Sequence, residues 1–321
     1  MSRFGLLRVL QARGKLTTQD LGRKGWLHLG LCESGAADEL AFLWANHLLG
    51  NACDAPALEI TLGQVSLEFT LATTAVLTGA EVAGQLNDAP VTSGQSFRVA
   101  AGDVLRLSIP RQGVVNYLSV QGGFCITKVC GSASICEREK IGPFDGAPLN
   151  AGDCVGYRAP AEHTPLRRRA ERWCMNHSGE NIPLLVPIVE SVAAAPALHN
   201  LLNQRFRVST ETNRMGCRLQ GDALNVDALA YQHRASAGVP YGAIQLPPDG
   251  QPIVLLKDRQ TMGGYPIIAC LSRWGAGRLA QCRPGEAVTF CAISIAQARQ
   301  QWRDWYGFFS NSASARCAKY H

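Results

Sequence analysis

Between Leu58 and Tyr157 short apolar runs recur between turn residues: Val65 to Phe69, Thr74 to Leu77, Val104 to Ile109, Val115 to Val120 and Cys154 to Tyr157. Each run has the length of a strand, and strands so short and so frequent fold as barrels or sandwiches. Composition agrees. Charged residues make up 17% of the chain against a usual ~25%, and its 32 glycines are about 10% against ~7%. Helical bundles and coiled coils need Glu, Lys and Arg in quantity, so they are excluded. The expected class is mainly β, a β-rich α+β chain with a few short helices.

One turn is used three times. Ala101-Gly102-Asp103-Val104, Ala151-Gly152-Asp153-Cys154 and Pro284-Gly285-Glu286-Ala287-Val288 each set a glycine and an acid just before an apolar strand. A first strand is expected at about residues 5–12, followed by a polar loop from Thr17 to Gly25. Three helices are expected. Ser34 caps the first, with Leu40, Leu43, Trp44 and Leu48 on one face and Gly50-Asn51 as its stop. Trp44 and His47 read as packing and surface residues of that helix. The second covers Ala195 to Asn203, with Leu198, Leu201 and Leu202 inward. The third begins at a Ser294/Gln297 capping box and lines Ile295, Ala298 and Trp302 along one face.

The organisation reads as a barrel-like domain over residues 1–160, a polar basic linker over 161–182, a second barrel domain over 183–309 and a fraying tail over 310–321. The formal charge of +6 is modest for 321 residues. The densest basic cluster, Arg167, Arg168, Arg169 and Arg172, is interleaved with Glu162, Glu171 and Glu180, so it reads as a solvated linker and no nucleic-acid partner is expected. No apolar run approaches the ~18 residues of a membrane span, and Arg8 and Gln11 interrupt any secretory core, so the expected location is cytoplasmic. The 12 cysteines include no Cys-x-x-Cys pair. Most are expected to be reduced packing residues, as at Cys154, Cys270 and Cys291 inside apolar runs; Cys32, beside a polar loop, stands apart.

Several chemistries are missing. The chain holds no phosphate loop, dinucleotide fingerprint, His-Glu-x-x-His or Gly-x-Ser-x-Gly, and its seven histidines show no ligand spacing, so no metal site is expected. What remains lies in the second half. Arg214 and Arg218 flank Gly216 as a candidate anion clamp. Pro247-Pro248-Asp249-Gly250 predicts a hairpin turn, and Ile253 to Leu256 a buried strand that empties into Lys257, Asp258, Arg259, Gln260 and Thr261 before Gly263-Gly264. Polar groups at a strand end, beside glycines that admit a ligand, suit a preorganised site. A surface Asp258/Arg259 ion pair beside an ordinary turn reads equally well from chemistry alone.

Gln19 to Gly25, Ser34-Gly35-Ala36 with Asp38, Ala45-Asn46 with Gly50-Asn51, Leu58 to Gly63, Asn213-Arg214-Met215-Gly216, Gln245 to Pro252 and Asp258 to Pro266 occur in order. Together they resemble the family of the C-type subunit of bacterial 5-oxoprolinase, also called the biotin-dependent carboxyltransferase or allophanate hydrolase subunit 2 family, which includes KipA-like proteins. The resemblance runs from about residue 15 to residue 293. It implies cyclophilin-like β-barrel domains and a complex with two other 5-oxoprolinase proteins, a KipI-like (B-type) and a LamB/YcsF-like (A-type) one. That complex would open 5-oxo-L-proline to L-glutamate with ATP. Two alternatives follow from the same family: carboxyl transfer from carboxybiotin supplied by another chain, or a regulatory binding protein without catalysis. The family's arginine after Ser132 is replaced here by Ala133-Ser134-Ile135, Cys136 to Ile141 replace its glycine-rich loop, and Cys217 and Met262 depart more mildly.

The site expected on this basis has Arg214 and Arg259 for an anion, Gln245, Gln260 and Thr261 for hydrogen bonding, and Asp258 for orientation or base work. Asn213, Gly263, Gly264 and Tyr265 would line the substrate, and Gln19, Asp20 and Arg23 would complete it.

Overall fold

The computed structural model describes residues 3–163, 165–168, 181–185, 195–225 and 235–310. Much of the expected linker, with Arg169 and Arg172, and all but the first residue of the expected tail lie outside the described residues. The chain groups into two compact units. The first holds the chain up to Lys24, its continuation from Ser34, and the end of the last helix from Tyr306; the second holds Gly25–Glu33 and the later chain through Trp305. The sequence division at 161–182 places Gly25–Glu33 with residues 1–160, whereas here that segment groups with the later chain and Glu33 pairs with Arg259.

In the first unit the strands are β1 (Arg3–Gln19), β2 (Ala57–Phe69), β3 (Thr73–Glu81), β4 (Gly84–Leu86), β5 (Ala89–Val91), β6 (Ser96–Val99), β7 (Val104–Leu107), β8 (Gln112–Val120), β9 (Phe124–Cys125) and β10 (Cys154–Ala159), with helix α1 (Glu39–Leu49) between β1 and β2. They form one ten-stranded sheet. β2 is the branch point: Leu58 to Thr61 pair with β8, Val65 to Glu68 pair with β7, and its other edge pairs with β1 throughout. β1 is longer than the sequence suggests. Thr17, Thr18 and Gln19 continue the ladder against Ala57 to Glu59, so the first part of the expected loop is strand. The register shifts after Val9 and Arg13 bend the strand, and the sheet curls around Leu7, Leu16, Leu58, Leu67, Phe69, Leu77 and Leu118.

Asp38, not Ser34, caps α1: its carboxylate accepts from the Ala41 N–H at 3.0 Å, while Ser34 sits at φ 53° and its hydroxyl donates to the Ile135 carbonyl. Gly50, at φ 67°, ends the helix as expected. The helix is buried on nearly every side rather than on one face. Trp44 is buried against Phe309, and His47 is half-buried, its pKa lowered by burial and then by the charge of Arg167.

The second unit contains β11 (Ile182–Leu185), α2 (Ala195–Asn203), β12 (Phe206–Val208), β13 (Gly216–Gln220), β14 (Ala237–Gly238), β15 (Ala243–Gln245), β16 (Ile253–Leu255), β17 (Met262–Gly263), β18 (Ile267–Leu271), α3 (Arg273–Ala280), β19 (Ala287–Val288) and β20 (Phe290–Ile293). α4 (Ile295–Ser310) follows, and the boundary between the units falls within it. Eight strands form one sheet in the order β19-β12-β13-β16-β15-β18-β11-β20, antiparallel except for β11 with β20, over a core that includes Leu201, Phe206, Ile244, Leu246, Val254 and Phe290. The mainly β class expected from sequence is the class found. α3 is not anticipated, because two glycines in Arg-Trp-Gly-Ala-Gly-Arg-Leu-Ala hide its period; Ser272 caps it by accepting from the Gly275 N–H.

The thrice-used turn is one structure. Gly102, Gly152 and Gly285 have φ of 87°, 100° and 87°, and the acid that follows each accepts from the N–H three residues before it, at Ala100, Asn150 and Arg283. The Ser294/Gln297 capping box is reciprocal, at 2.8 and 3.1 Å. Nine described cysteines are free thiols, whereas Cys53 is disulfide-bonded. Cys154 is exposed rather than packed, because it falls on the outward side of β10. No helix among the described residues is long and apolar enough to cross a membrane.

The entry to α1 hangs on one phenol. The fully buried Tyr117 hydroxyl donates to Glu59 at 2.7 Å and accepts from the Asp38 N–H at 2.9 Å, and Glu59 also takes the Ala37 N–H. Burial first, then the nearby Glu59 and Asp38 charges, push the Tyr117 pKa well up, so it remains a donor. Tyr117→Phe is expected to lower unfolding free energy by about 1–3 kcal/mol, read as a reduced urea midpoint at unchanged slope.

Candidate functional site

The hairpin β15/β16 positions the candidate site of the second unit. Its turn closes with the Gly250 N–H on the Pro247 carbonyl, and Ile244 and Gln245 pair with Val254 and Ile253. Beyond β16 the chain does not run out to solvent. Leu256 N–H bonds to the Met215 carbonyl and Asp258 N–H to the Arg214 carbonyl, which folds the polar run over the start of β13. Lys257, Asp258 and Arg259 are consequently buried, at 4%, 4% and 2% exposure.

Buried charges need partners. Arg214 grips Asp258 with two parallel bonds, Nε to Oδ2 at 2.8 Å and Nη2 to Oδ1 at 3.1 Å. Arg259 pairs elsewhere, with Nη2 on Glu33 at 3.1 Å and Nε on the Val239 carbonyl at 3.0 Å. Lys257 Nζ lies 4.4 Å from the centre of the Tyr241 ring, which Arg259 also approaches at 5.8 Å. A surface pair between Asp258 and Arg259 is therefore not what the chain forms. The Arg214/Arg218 clamp is not formed either: Arg214 holds Asp258, while Arg218 faces Glu211 and Asp249. Both Asp258 oxygens receive Arg214.

Two buried donors here, Arg259 Nη1 and Gln245 Nε2, have no hydrogen-bond partner among the described residues. They lie around Val239, whose carbonyl receives Arg259 and whose Cγ1 would stand 3.0 Å from a Cβ placed on Gly263; that same Cβ would come within 2.6 Å of Gln245 Nε2. An unpaired buried donor costs about 1–3 kcal/mol, so two beside Val239 make this a candidate site for an oxygen ligand.

The other expected residues are arranged around these donors in differing ways. Gln260 and Thr261 are half-buried, and the Thr261 carbonyl accepts from the Val239 N–H. Gly264 and Tyr265 are exposed. Asn213 fixes the turn that presents Arg214, its Oδ1 accepting from the Met215 N–H at 2.8 Å. Gln19, Asp20 and Arg23 belong to the first unit and are buried there. Asp20 accepts from Gly22 N–H, Ala133 N–H and both Ser132 and Ser134 hydroxyls, Arg23 donates to the Val129 and Ser134 carbonyls, and Gln19 donates to Thr17 and Ile135. They hold the buried segment Ser132 to Cys136.

Three thiols of the second unit are held from ionising by burial. Burial raises Cys270 to about 11 and Cys217 and Cys282 each to about 12, so all three stay protonated near neutrality. Cys32 is fully buried. Sequence reasoning misses Glu33, Val239 and Tyr241. Glu33 carries no local signal, since its partner lies 226 residues away.

Residues 29–292 match the family described as carboxyltransferase domain, subdomain A and B. The chain is similar to the C-type subunit of 5-oxoprolinase from Haemophilus influenzae, 33% identical over 91% of this chain and 93% of the relative, and to that of Escherichia coli, 34% identical over 96% and 98%. Among solved structures it is similar to TTHA0988, with a TM-score of 0.79 and 31% identity over 90% of this chain. It spans 56% of that protein. The Kluyveromyces lactis urea carboxylase shares the fold at a TM-score of 0.87 and 24% identity, over 98% of this chain and 30% of that one.

Gly263→Ala places a methyl against the Gln245 amide. The expected outcome is at least a tenfold loss of ligand affinity or activity with a small change in melting temperature; unchanged affinity contradicts this placement of the site.

Proposed function

The chain belongs to the family of the C-type 5-oxoprolinase subunit, within the carboxyltransferase-domain (subdomain A and B) family, and from that premise we propose that it works in a complex hydrolysing 5-oxo-L-proline, or a similar cyclic amide, to L-glutamate with ATP. One observation carries the proposal: the two unanswered buried donors, Arg259 Nη1 and Gln245 Nε2.

A lactam resists hydrolysis because its nitrogen lone pair is delocalised and its amine leaves poorly. Phosphorylation of the amide oxygen, with ATP held in the complex, would make the ring carbon attackable. The chain's residues then have two tasks. One is to bind the substrate anion: Lys257, Arg214 and Arg259 against Asp258 and Glu33 leave a formal charge of +1, which suits a monocarboxylate. The other is to offer preorganised donors to an oxygen that gains charge, the work of Arg259 and Gln245. Arg214 and Asp258 hold the loop in place. The partners proposed are the KipI-like (B-type) and LamB/YcsF-like (A-type) proteins of 5-oxoprolinase.

A second reading keeps the donors and changes the chemistry to carboxyl transfer from carboxybiotin on another chain. The family description and the urea carboxylase fold favour it. Transfer of labelled carboxyl from carboxybiotin separates it from hydrolysis.

The test is the complex assembled by co-expression, supplied with 5-oxoproline and ATP and assayed for glutamate. Arg259→Ala is expected to lower kcat/KM by about 10²–10³. Full activity without this chain contradicts the proposal.

A further inference from the structure

Arg259 is held on two sides and open on the third. Nε is fixed by the Val239 carbonyl, Nη2 by Glu33, and Nη1 is buried with no partner among the described residues. The Arg259 side chain is 3% exposed, and Glu33, at 22%, is the carboxylate that faces it. Glu33 ends Gly25–Glu33, the early segment that groups with the second unit, so a stretch distant in sequence brings a carboxylate to the arginine. Guanidinium is a rigid plane: fixing the directions of Nε and Nη2 also fixes the direction of Nη1.

We propose that Glu33 is a positioning residue for substrate recognition, setting the Arg259 plane so that Nη1 donates to a carboxylate or carbonyl oxygen also bound by Gln245. The idea rests on the site reading above and adds to it a residue outside the family blocks and the polar run. Glu33 does not touch substrate. It acts through Arg259, and what it supplies is an acceptor at one place. A glutamine, whose side-chain oxygen accepts the same N–H, keeps the plane. An aspartate is one methylene too short to reach without drawing the guanidinium away, and an alanine leaves the plane free to turn on its Val239 bond.

Two readouts test this. In the co-expressed complex, E33A is expected to raise KM for 5-oxoproline at least tenfold with kcat changed less, E33D several-fold, and E33Q no more than about threefold. In the full chain alone, labelled with ¹⁵N-arginine, the Arg259 Nε–H resonance is expected to be sharp and slow to exchange in the wild type and E33Q, and broadened or lost in E33A. A merely structural Glu33 would lower the melting temperature without this order of KM values. The proposal is overturned by an E33A KM within twofold of wild type, or by E33Q as damaging as E33A. If E33A does not fold, E33D against E33Q decides by the same order. A wild-type complex inert toward 5-oxoproline refutes the functional reading instead, and the arginine resonance then decides the positioning role: a signal equally sharp in E33A overturns it.

Discussion

Three consecutive ionisable side chains follow β16 and all three are buried. That constraint organises the second unit. Desolvating an ion costs several kcal/mol unless a partner is at hand, so the fold must supply one for each: a carboxylate-guanidinium pair for Asp258, an aromatic face for Lys257, and Glu33 with a backbone carbonyl for Arg259. The turn at Asn213, the strand at β13 and the segment Gly25–Glu33 can all be understood as the means of bringing these partners in. Beside these pairs, Arg259 Nη1 and Gln245 Nε2 are buried without a hydrogen-bond partner among the described residues, and they mark the proposed ligand site.

The first unit solves a similar problem differently. Asp20 is as buried as the charges of the second unit, yet its oxygens receive four donors from its own loop and from Ser132 to Ser134. It is satisfied internally, and so are the bonds of Arg23 to the Val129 and Ser134 carbonyls. Asp20 and Arg23 pin a buried segment of the first unit, and Gln19 donates to it while its Oε1 has no partner among the described residues, as Arg259 Nη1 has none in the second unit.

Local signals in the sequence were legible and distant ones were not. The Gly102, Gly152 and Gly285 turns, the Ser294/Gln297 box and the Pro247 to Gly250 hairpin each depend on residues within four positions, and each was found as read. The length of β1 depends on β2, some forty residues on, which turns a polar Thr17-Thr18-Gln19 into strand. The α1 cap moved from Ser34 to Asp38 because Ser34 is drawn to Ile135. Glu33 could be recognised only from the fold, since nothing near it in the chain announces Arg259.

A structure of the assembled complex with 5-oxoproline or a carboxylate analogue bound tests the proposed site most directly. A ligand oxygen is expected within hydrogen-bond distance, about 2.7–3.2 Å, of both Arg259 Nη1 and Gln245 Nε2. A ligand seated elsewhere, with both donors still unpaired, would contradict it.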